Sequence, residues 1–449
     1  MNKGSRNGVY FLGIGGIGMS ALARFMQSRG FEVSGYDLTP SPLTRQLEAE
    51  GMSIHYEDRP DLIPQNIGLA VYTPAVPQTL GEFKALADSG VRFVKRSELL
   101  GEISRSHKTV AISGSHGKTT TTALITHLLA SAGKRLSAFI GGVANNFNSN
   151  VVVGGVDDEF VVAEADEYDR SFLRLSPFVS VVTSIGADHL DIYGNEQNLV
   201  GAFNDFVSLT SSEGLVVCRE GLPIKTDRRM VTFGMGKADY VARDIRIENL
   251  MTMFDVLHHG SPVGRFAVPL FGEHNVMNAL AAVVVCLNLG VSADAVSKGL
   301  KTFKGVRRRF DMRVCNEGHC YIDDYAHHPD EIRSTLAAAR MLFPNRRLTV
   351  VFQPHLFSRT RDLMNEFADS LSLADNVILM DIYPAREKPI EGVTSAALMD
   401  RMGLKDKMLC SKEALLRHID TLRPELLITM GAGDIDRFVE PIEKNMKTW

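Results

Sequence analysis

The sequence predicts a mixed α/β protein built on parallel sheets in three domains, and three observations carry that reading. Its 449 residues suffice for about three domains at roughly 150 residues each. Three segments begin alike, with a short apolar strand, a special turn and an amphipathic helix, the order used by open α/β sheets. The polar clusters fall just past the ends of predicted strands, where open parallel sheets hold their ligands.

The first start is Val9-Tyr10-Phe11-Leu12, followed by the turn Gly13-Ile14-Gly15-Gly16-Ile17-Gly18. Its helix carries Leu22, Phe25 and Met26 on one face and stops at Gly30, a residue suited to a helix C-terminus. A second strand, 31–36, delivers Asp37. Glycines at 13, 15 and 18 with an acid about 20 residues on make the dinucleotide fingerprint. Gly15 lets the backbone approach a diphosphate, and the helix offers it unpaired N–H groups. The plainer alternative is a glycine turn needed for packing alone. Taken by itself this motif would also suit a nicotinamide-dependent dehydrogenase or a nucleotide-binding regulator.

The second start is Thr109-Val110-Ala111-Ile112, then Ser113-Gly114-Ser115-His116-Gly117-Lys118-Thr119. The turn is similar to a P-loop, although Ile112 stands where the full consensus asks for glycine. Lys118 would neutralise β- and γ-phosphates, and Thr119 would offer its hydroxyl to Mg2+. The following helix pairs Leu124 with Leu128 and Ile125 with Leu129, and Gly133 ends it. Buried strands at 160–163 and 179–182 lead into Glu164-Ala165-Asp166-Glu167 and Ala187-Asp188-His189. A carboxylate at such a strand end can sit on or near Mg2+. From the residues alone His189 reads better as a capped loop histidine, since hard cations prefer oxygen.

The third start is Cys320-Tyr321-Ile322 running into Asp323-Asp324-Tyr325-Ala326-His327-His328-Pro329, with a helix from about Asp330. Strands at 348–352, 377–380 and 426–429 follow. Arg359 and Arg361, after Gln353-Pro354-His355, suit a carboxylate or phosphate through paired hydrogen bonds. Arg307-Arg308-Arg309 reads equally well as a solvated linker face. Domain boundaries are expected near residues 106 and 312, giving domains 1–106, 107–312 and 313–449.

Composition excludes several classes. The chain is 45% hydrophobic and 23% charged, with net charge -4 and pI near 6.4, so no basic field points to nucleic acid. Five cysteines, widely spaced and without a CxxC pair, suggest reduced thiols in a cytosol. Lys3 and Arg6 before an apolar stretch imitate a signal peptide, but four glycines interrupt it. The longest apolar run, 279–289, falls short of the roughly 20 residues that span a bilayer. A cytoplasmic protein without membrane contact is expected, as a monomer or weak homodimer.

Eight motifs in order give the chain a resemblance to the Mur ligases along nearly its whole length. They are Gly13-Ile-Gly-Gly-Ile-Gly-Met-Ser20, Gly114-Ser-His-Gly-Lys-Thr-Thr-Thr121, Glu164-Ala-Asp-Glu167, Ala187-Asp-His-Leu-Asp191, Gly272-Glu-His-Asn-Val-Met-Asn278, Arg308-Arg-Phe-Asp311, Asp323-Asp-Tyr-Ala-His-His-Pro329, and Phe352-Gln-Pro-His355 with Ser358-Arg-Thr-Arg361. The resemblance implies a Rossmann-like N-terminal domain for a UDP-sugar, a central P-loop domain for ATP and a Rossmann-like C-terminal domain for an amino acid. It implies that Gly15, Gly16, Ile17, Gly18, Met19, Ser20, Asp37, Thr73 and His116 hold the uridine nucleotide. Gly114, Ser115, His116, Gly117, Lys118, Thr119 and Thr120 would surround the ATP phosphates. His274, Asn275 and Asn278 would lie at the adenine, and Arg309 and Asp323 would complete the nucleotide site. Thr119, Glu164 and His189 would hold Mg2+, with two ions expected and Mn2+ as a substitute. Tyr325, His327, His328, Arg359 and Arg361 would surround the amino acid and the reacting carboxyl group. Lys118, Glu164, His189, His327 and His328 would carry the catalysis.

The implied reaction is ATP-dependent joining of L-alanine to the carboxylate of UDP-N-acetylmuramate through an acyl phosphate, in peptidoglycan precursor synthesis. Glu167-Tyr168-Asp169 is also similar to a branch that recycles a tripeptide onto the same sugar nucleotide, whereas Ser171-Phe172-Leu173 and the Phe352 motif resemble the alanine branch. Gly186 and Ser115 depart from the commoner residues at their positions, and no counterpart of a carbamylated lysine is evident.

Overall fold

A computed structural model describes residues 7–155, 157–186, 190–385 and 387–449. The chain forms two compact units. One comprises residues 1–246, 253–268 and 274–304; the other comprises 247–252, 269–273 and 305–449.

The first unit holds two sheets. Five strands, all parallel, lie in the order Ser53–His55, Glu32–Tyr36, Gly8–Leu12, Ile67–Tyr72, Arg92–Lys95. The strand Gly8–Leu12 is buried throughout, so it reads as an apolar run with no polar face. In the second sheet the central strand Lys108–Ser113 lies between Phe160–Glu164 and Pro177–Val182, parallel to both. Leu136–Ala144 and Ser149–Val152 extend one side as an antiparallel hairpin, and Leu215–Arg219 and Met230–Gly234 extend the other. The helices Ile17–Ser28 and Lys118–Ser131 follow the two central strands. One apolar cluster runs through both sheets, with the Phe25 and Phe139 rings tilted against each other at 5.3 Å. That shared core is why the two sheets form one unit. The apolar run at 279–289 is a core helix, Glu273–Asn288, with Ala279 to Cys286 all buried. Among the described residues no helix is long and apolar enough to cross a membrane.

The second unit has six strands in the order Asp311–Cys315, Cys320–Asp324, Leu426–Met430, Leu348–Phe352, Asn376–Leu379, Lys407–Leu409. The first pair is antiparallel and the rest are parallel. Alternate residues serve two different cores, as the two-residue strand period requires. Ile322, Val350 and Ile428 face one core, while Tyr321, Val351 and Leu427 face the other.

The cysteine expectation needs correction. Cys218, Cys286 and Cys410 are free and buried, but Cys315 and Cys320 form a disulfide. They stand directly opposite each other on the antiparallel pair, with Cα atoms 4.1 Å apart. A four-residue turn folds them together, which sequence spacing alone does not show.

Candidate active site

The first glycine turn leaves its strand at Leu12 and bends back on the neighbouring strand. Gly13 and Ile14 donate their N–H groups to the Tyr36 carbonyl at 2.8 and 3.1 Å, and Gly13 has φ +81°. Gly15 has no room for a side chain: a Cβ there would meet Thr44 at 2.6 Å and Asp37 at 2.8 Å. Its N–H donates to Asp37 Oδ2 at 2.8 Å. The helix Ile17–Ser28 starts with no side-chain cap and no acid in its first turn, which leaves its end electropositive. Thr73 flanks Gly13. Met19 and Ser20 point inward: both are buried, and Ser20 Oγ donates to the Ile17 carbonyl at 3.0 Å. Ile17 and Gly18 stay at the open end of the turn, with Arg96 beside Gly18.

The second turn is held from the neighbouring strand end. Ser115 N–H donates to the Ser184 carbonyl at 3.1 Å, His116 N–H to Ser184 Oγ at 2.8 Å, and Thr183 Oγ1 to the His116 carbonyl at 2.6 Å. Gly114 and Gly117 take φ of +139° and +87°. A Cβ on Gly117 would lie 2.3 Å from Asn278 Oδ1. Asn278 also accepts from Thr121 Oγ1 at 3.3 Å and donates to Asn275 Oδ1 at 3.2 Å. Both asparagines are therefore buried beneath the loop, while His274 and His116 are exposed. Thr119 and Thr120 open the helix and are buried.

Lys118 is fully engaged. Its ammonium donates to the Gly114 carbonyl at 2.8 Å and to both Glu167 oxygens at 2.9 and 2.8 Å. Burial pushes the Glu167 carboxyl up, against the pull of Lys118. Glu164 ends the adjacent strand in register with Ile112 and accepts the Gly141 N–H at 3.1 Å. A cleft opens between Arg96 and Ser97 on one side and Glu164, Asp166 and Ser171 on the other. Among the described residues no three His, Cys, Asp or Glu side chains converge as a metal cage. Mg2+ takes one or two protein oxygens and fills its shell with water and phosphate. Thr119 and Glu164 are such oxygen donors. His189, with Ala187 and Asp188, lies outside the described residues.

In the second unit the strand Cys320–Asp324 delivers its cluster at its carboxyl end. Asp323 is fully buried, accepts from Thr429 Oγ1 at 2.7 Å and faces Arg308 at 3.5 Å. Asp324 accepts the N–H groups of Phe310 and Ala326, each at 2.7 Å. Burial raises both carboxyls to about 6. Arg308 and Arg309 both lie over the Tyr325 ring. His328 caps the helix Pro329–Leu342, and Glu331 accepts the N–H groups of both histidines. His327 hydrogen-bonds the Tyr325 carbonyl at 3.0 Å, and burial lowers its pKa. Its ring stands edge-on to His355, 6.3 Å away, and His355 in turn stacks on Tyr383. Burial and the neighbouring Arg359 hold His355 down at about 4. His355 Nδ1 and Arg359 Nη1 are buried without a hydrogen-bond partner. Arg361 does not join them; it is exposed and pairs with Asp362.

The structure thus gathers Lys118 with the P-loop, Asp37 with the first turn, and Tyr325, His355 and Arg359 around His327. Three residues outside the expected set touch expected ones: Glu167 pairs with Lys118, Arg96 lies beside Gly18, and His355 stands against His327. The first was hidden among equivalent acids, the second had no motif, and the third stood in a quoted motif without a role.

Family models match three segments: the Mur ligase family catalytic domain at residues 8–108, the Mur ligase middle domain at 112–286 and the Mur ligase glutamate ligase domain at 308–433. The chain belongs to the Mur ligase family. It is 44% identical to a UDP-N-acetylmuramate–L-alanine ligase of Cytophaga hutchinsonii, over 99% of this chain and 97% of that protein. It is 43% identical to the enzyme of the same name from Flavobacterium psychrophilum, over 99% of both. The crystal structure of a UDP-N-acetylmuramate-alanine ligase from Thermotoga maritima superposes with a TM-score of 0.85 at 28% identity, covering 98% of this chain and 99% of that one. A murein peptide ligase from Psychrobacter arcticus shares the fold, with a TM-score of 0.73 at 23% identity over 98% of this chain and 99% of that one.

Proposed function

We propose that this chain joins L-alanine to the carboxylate of UDP-N-acetylmuramate at the expense of ATP, in the cytoplasmic synthesis of peptidoglycan precursors. The observation that carries the reading is the full-length likeness to alanine-adding ligases, together with a P-loop lysine beside strand-end carboxylates.

A carboxylate does not react with an amine at neutral pH, because oxide is too poor a leaving group. Transfer of the γ-phosphoryl group to that carboxylate makes an acyl phosphate, and phosphate then leaves. Lys118 and the N–H groups of the loop supply fixed positive charge where the transferring group gathers negative charge. Mg2+, held by Thr119, Glu164 and His189 in our reading, would add charge neutralisation between the phosphates. The turn at Gly15 with Asp37 and Thr73 grips the uridine diphosphate, and Arg96 lies along the way from Gly18 to Glu164. Arg359 takes the alanine carboxylate. His327, whose pKa is lowered by burial, is neutral and able to accept a proton as the amine attacks; His328 serves the helix end instead.

The step is tested with UDP-N-acetylmuramate labelled with 18O in its carboxylate. Label is expected in the released phosphate, one oxygen per turnover. Phosphate free of label would rule out the acyl phosphate route. Gel filtration with light scattering tests the expectation of a monomer or weak homodimer.

A further inference from the structure

The Lys118 ammonium has three N–H donors, and the chain itself takes all three: one by the Gly114 carbonyl and two by the Glu167 carboxylate. Glu167 is almost completely buried, at 1% exposure, and Lys118 is 14% exposed. The backbone of Glu167 is anchored, since Tyr193 donates its hydroxyl to the Glu167 carbonyl at 2.6 Å. Asp166 also acts on the carboxylate, and it repels. A phosphate that takes up Lys118 must therefore replace a carboxylate already seated there. Two anions cannot both claim one half-buried ammonium without strong repulsion.

We propose that Glu167 is the resting counter-ion of Lys118, a positioning residue that ATP displaces and that competes with ADP for the lysine after turnover. It keeps the ammonium aimed into the loop when no nucleotide is bound, and it weakens nucleotide affinity so that product can leave. The inference rests on the reading of Lys118 as the group that contacts nucleotide phosphate.

The test is calorimetric titration of the full-length chain with ADP, with and without Mg2+, in wild type, E167Q, E167D and K118A. Glutamine keeps a hydrogen bond to Lys118 but removes the competing charge. E167Q is expected to bind ADP about tenfold more tightly, about 1.4 kcal/mol. The inhibition constant for ADP and the KM for ATP should fall together while kcat does not rise. E167D, which keeps the charge but loses reach to both donors, should move the same way by a smaller factor. Adding E167Q to K118A should give a gain of less than half that size, because the lysine to be released is gone. Thermal unfolding checks that each variant is folded; if E167Q is not, E167D carries the test. ADP affinity equal to or weaker than wild type in the folded variants overturns the proposal. If K118A binds ADP as well as wild type, the P-loop reading fails first. If K118A binds poorly and E167Q binds like wild type, only this inference fails.

Discussion

In the turn that follows Gly8–Leu12, the donor prepared for an anion is a backbone N–H, and Asp37 accepts from it. In the turn that follows Lys108–Ser113, the donor is an ammonium, and Glu167 pairs with it. Both turns keep a carboxylate of their own where a ligand's negative charge would go. The neutral donor can lose its acceptor cheaply, because water reaches the turn and Asp37 is only partly buried. The charged donor cannot, because a half-buried ammonium without a partner is costly. The first turn is therefore tuned by shape, and the second by charge as well.

The sharpest way to break this comparison is Lys118→Ala. If charge at the second turn stabilises phosphoryl transfer, phosphate release should fall by about a thousandfold, measured as phosphate released at saturating substrates. Near-normal turnover would remove the distinction. The glycines come next. Gly117→Ala must hold alanine at φ +87° with its Cβ 2.3 Å from Asn278, so a loss of about 3 kcal/mol in denaturant-derived stability is expected. In the first turn, a Cβ on Gly16 would meet nothing nearer than 3.4 Å, so Gly16→Ala should cost less than about 1 kcal/mol.

The third sheet supplies the contrast of carboxylates whose partners belong to the fold itself. Burial raises Asp324 from 3.8 to about 6, so the folded chain favours its protonated form. That contribution is complete below about pH 4 and is lost as pH rises through 6. Relative to Asp324→Asn, the wild type should lose up to about 3 kcal/mol between pH 4 and 7 in urea unfolding. Asp37→Ala should raise KM for the uridine substrate about tenfold, or 1.4 kcal/mol, and leave ADP affinity unchanged.

Much of this was legible in the chain before any coordinates. Apolar runs of strand length, each followed by a turn of distinctive residues and a helix, locate all three sheets, because strand burial and turn conformation are local requirements. Glu164 and Glu167 were not separable by sequence. Both are acids of one short run, and only the 3-10 turn Tyr168–Arg174, with Tyr193 behind it, aims the second at Lys118. Arg359 and Arg361 likewise look equivalent, yet two positions along the helix Phe357–Asp362 point in different directions. The partnership of Cys315 with Cys320 depends on strand register, which no spacing rule reveals. Arg96 sits at the junction of the strand Arg92–Lys95 with the helix Arg96–Arg105, a place that carries no motif at all.

The most direct test of the central claim is to supply the purified chain with ATP, Mg2+ and UDP-N-acetylmuramate and to offer L-alanine, glycine, L-serine or the tripeptide as amine, identifying the product by mass. Amide formation and matching phosphate release are expected with L-alanine in clear preference to the others. Product with the tripeptide alone, or no amide with any amine, would contradict it.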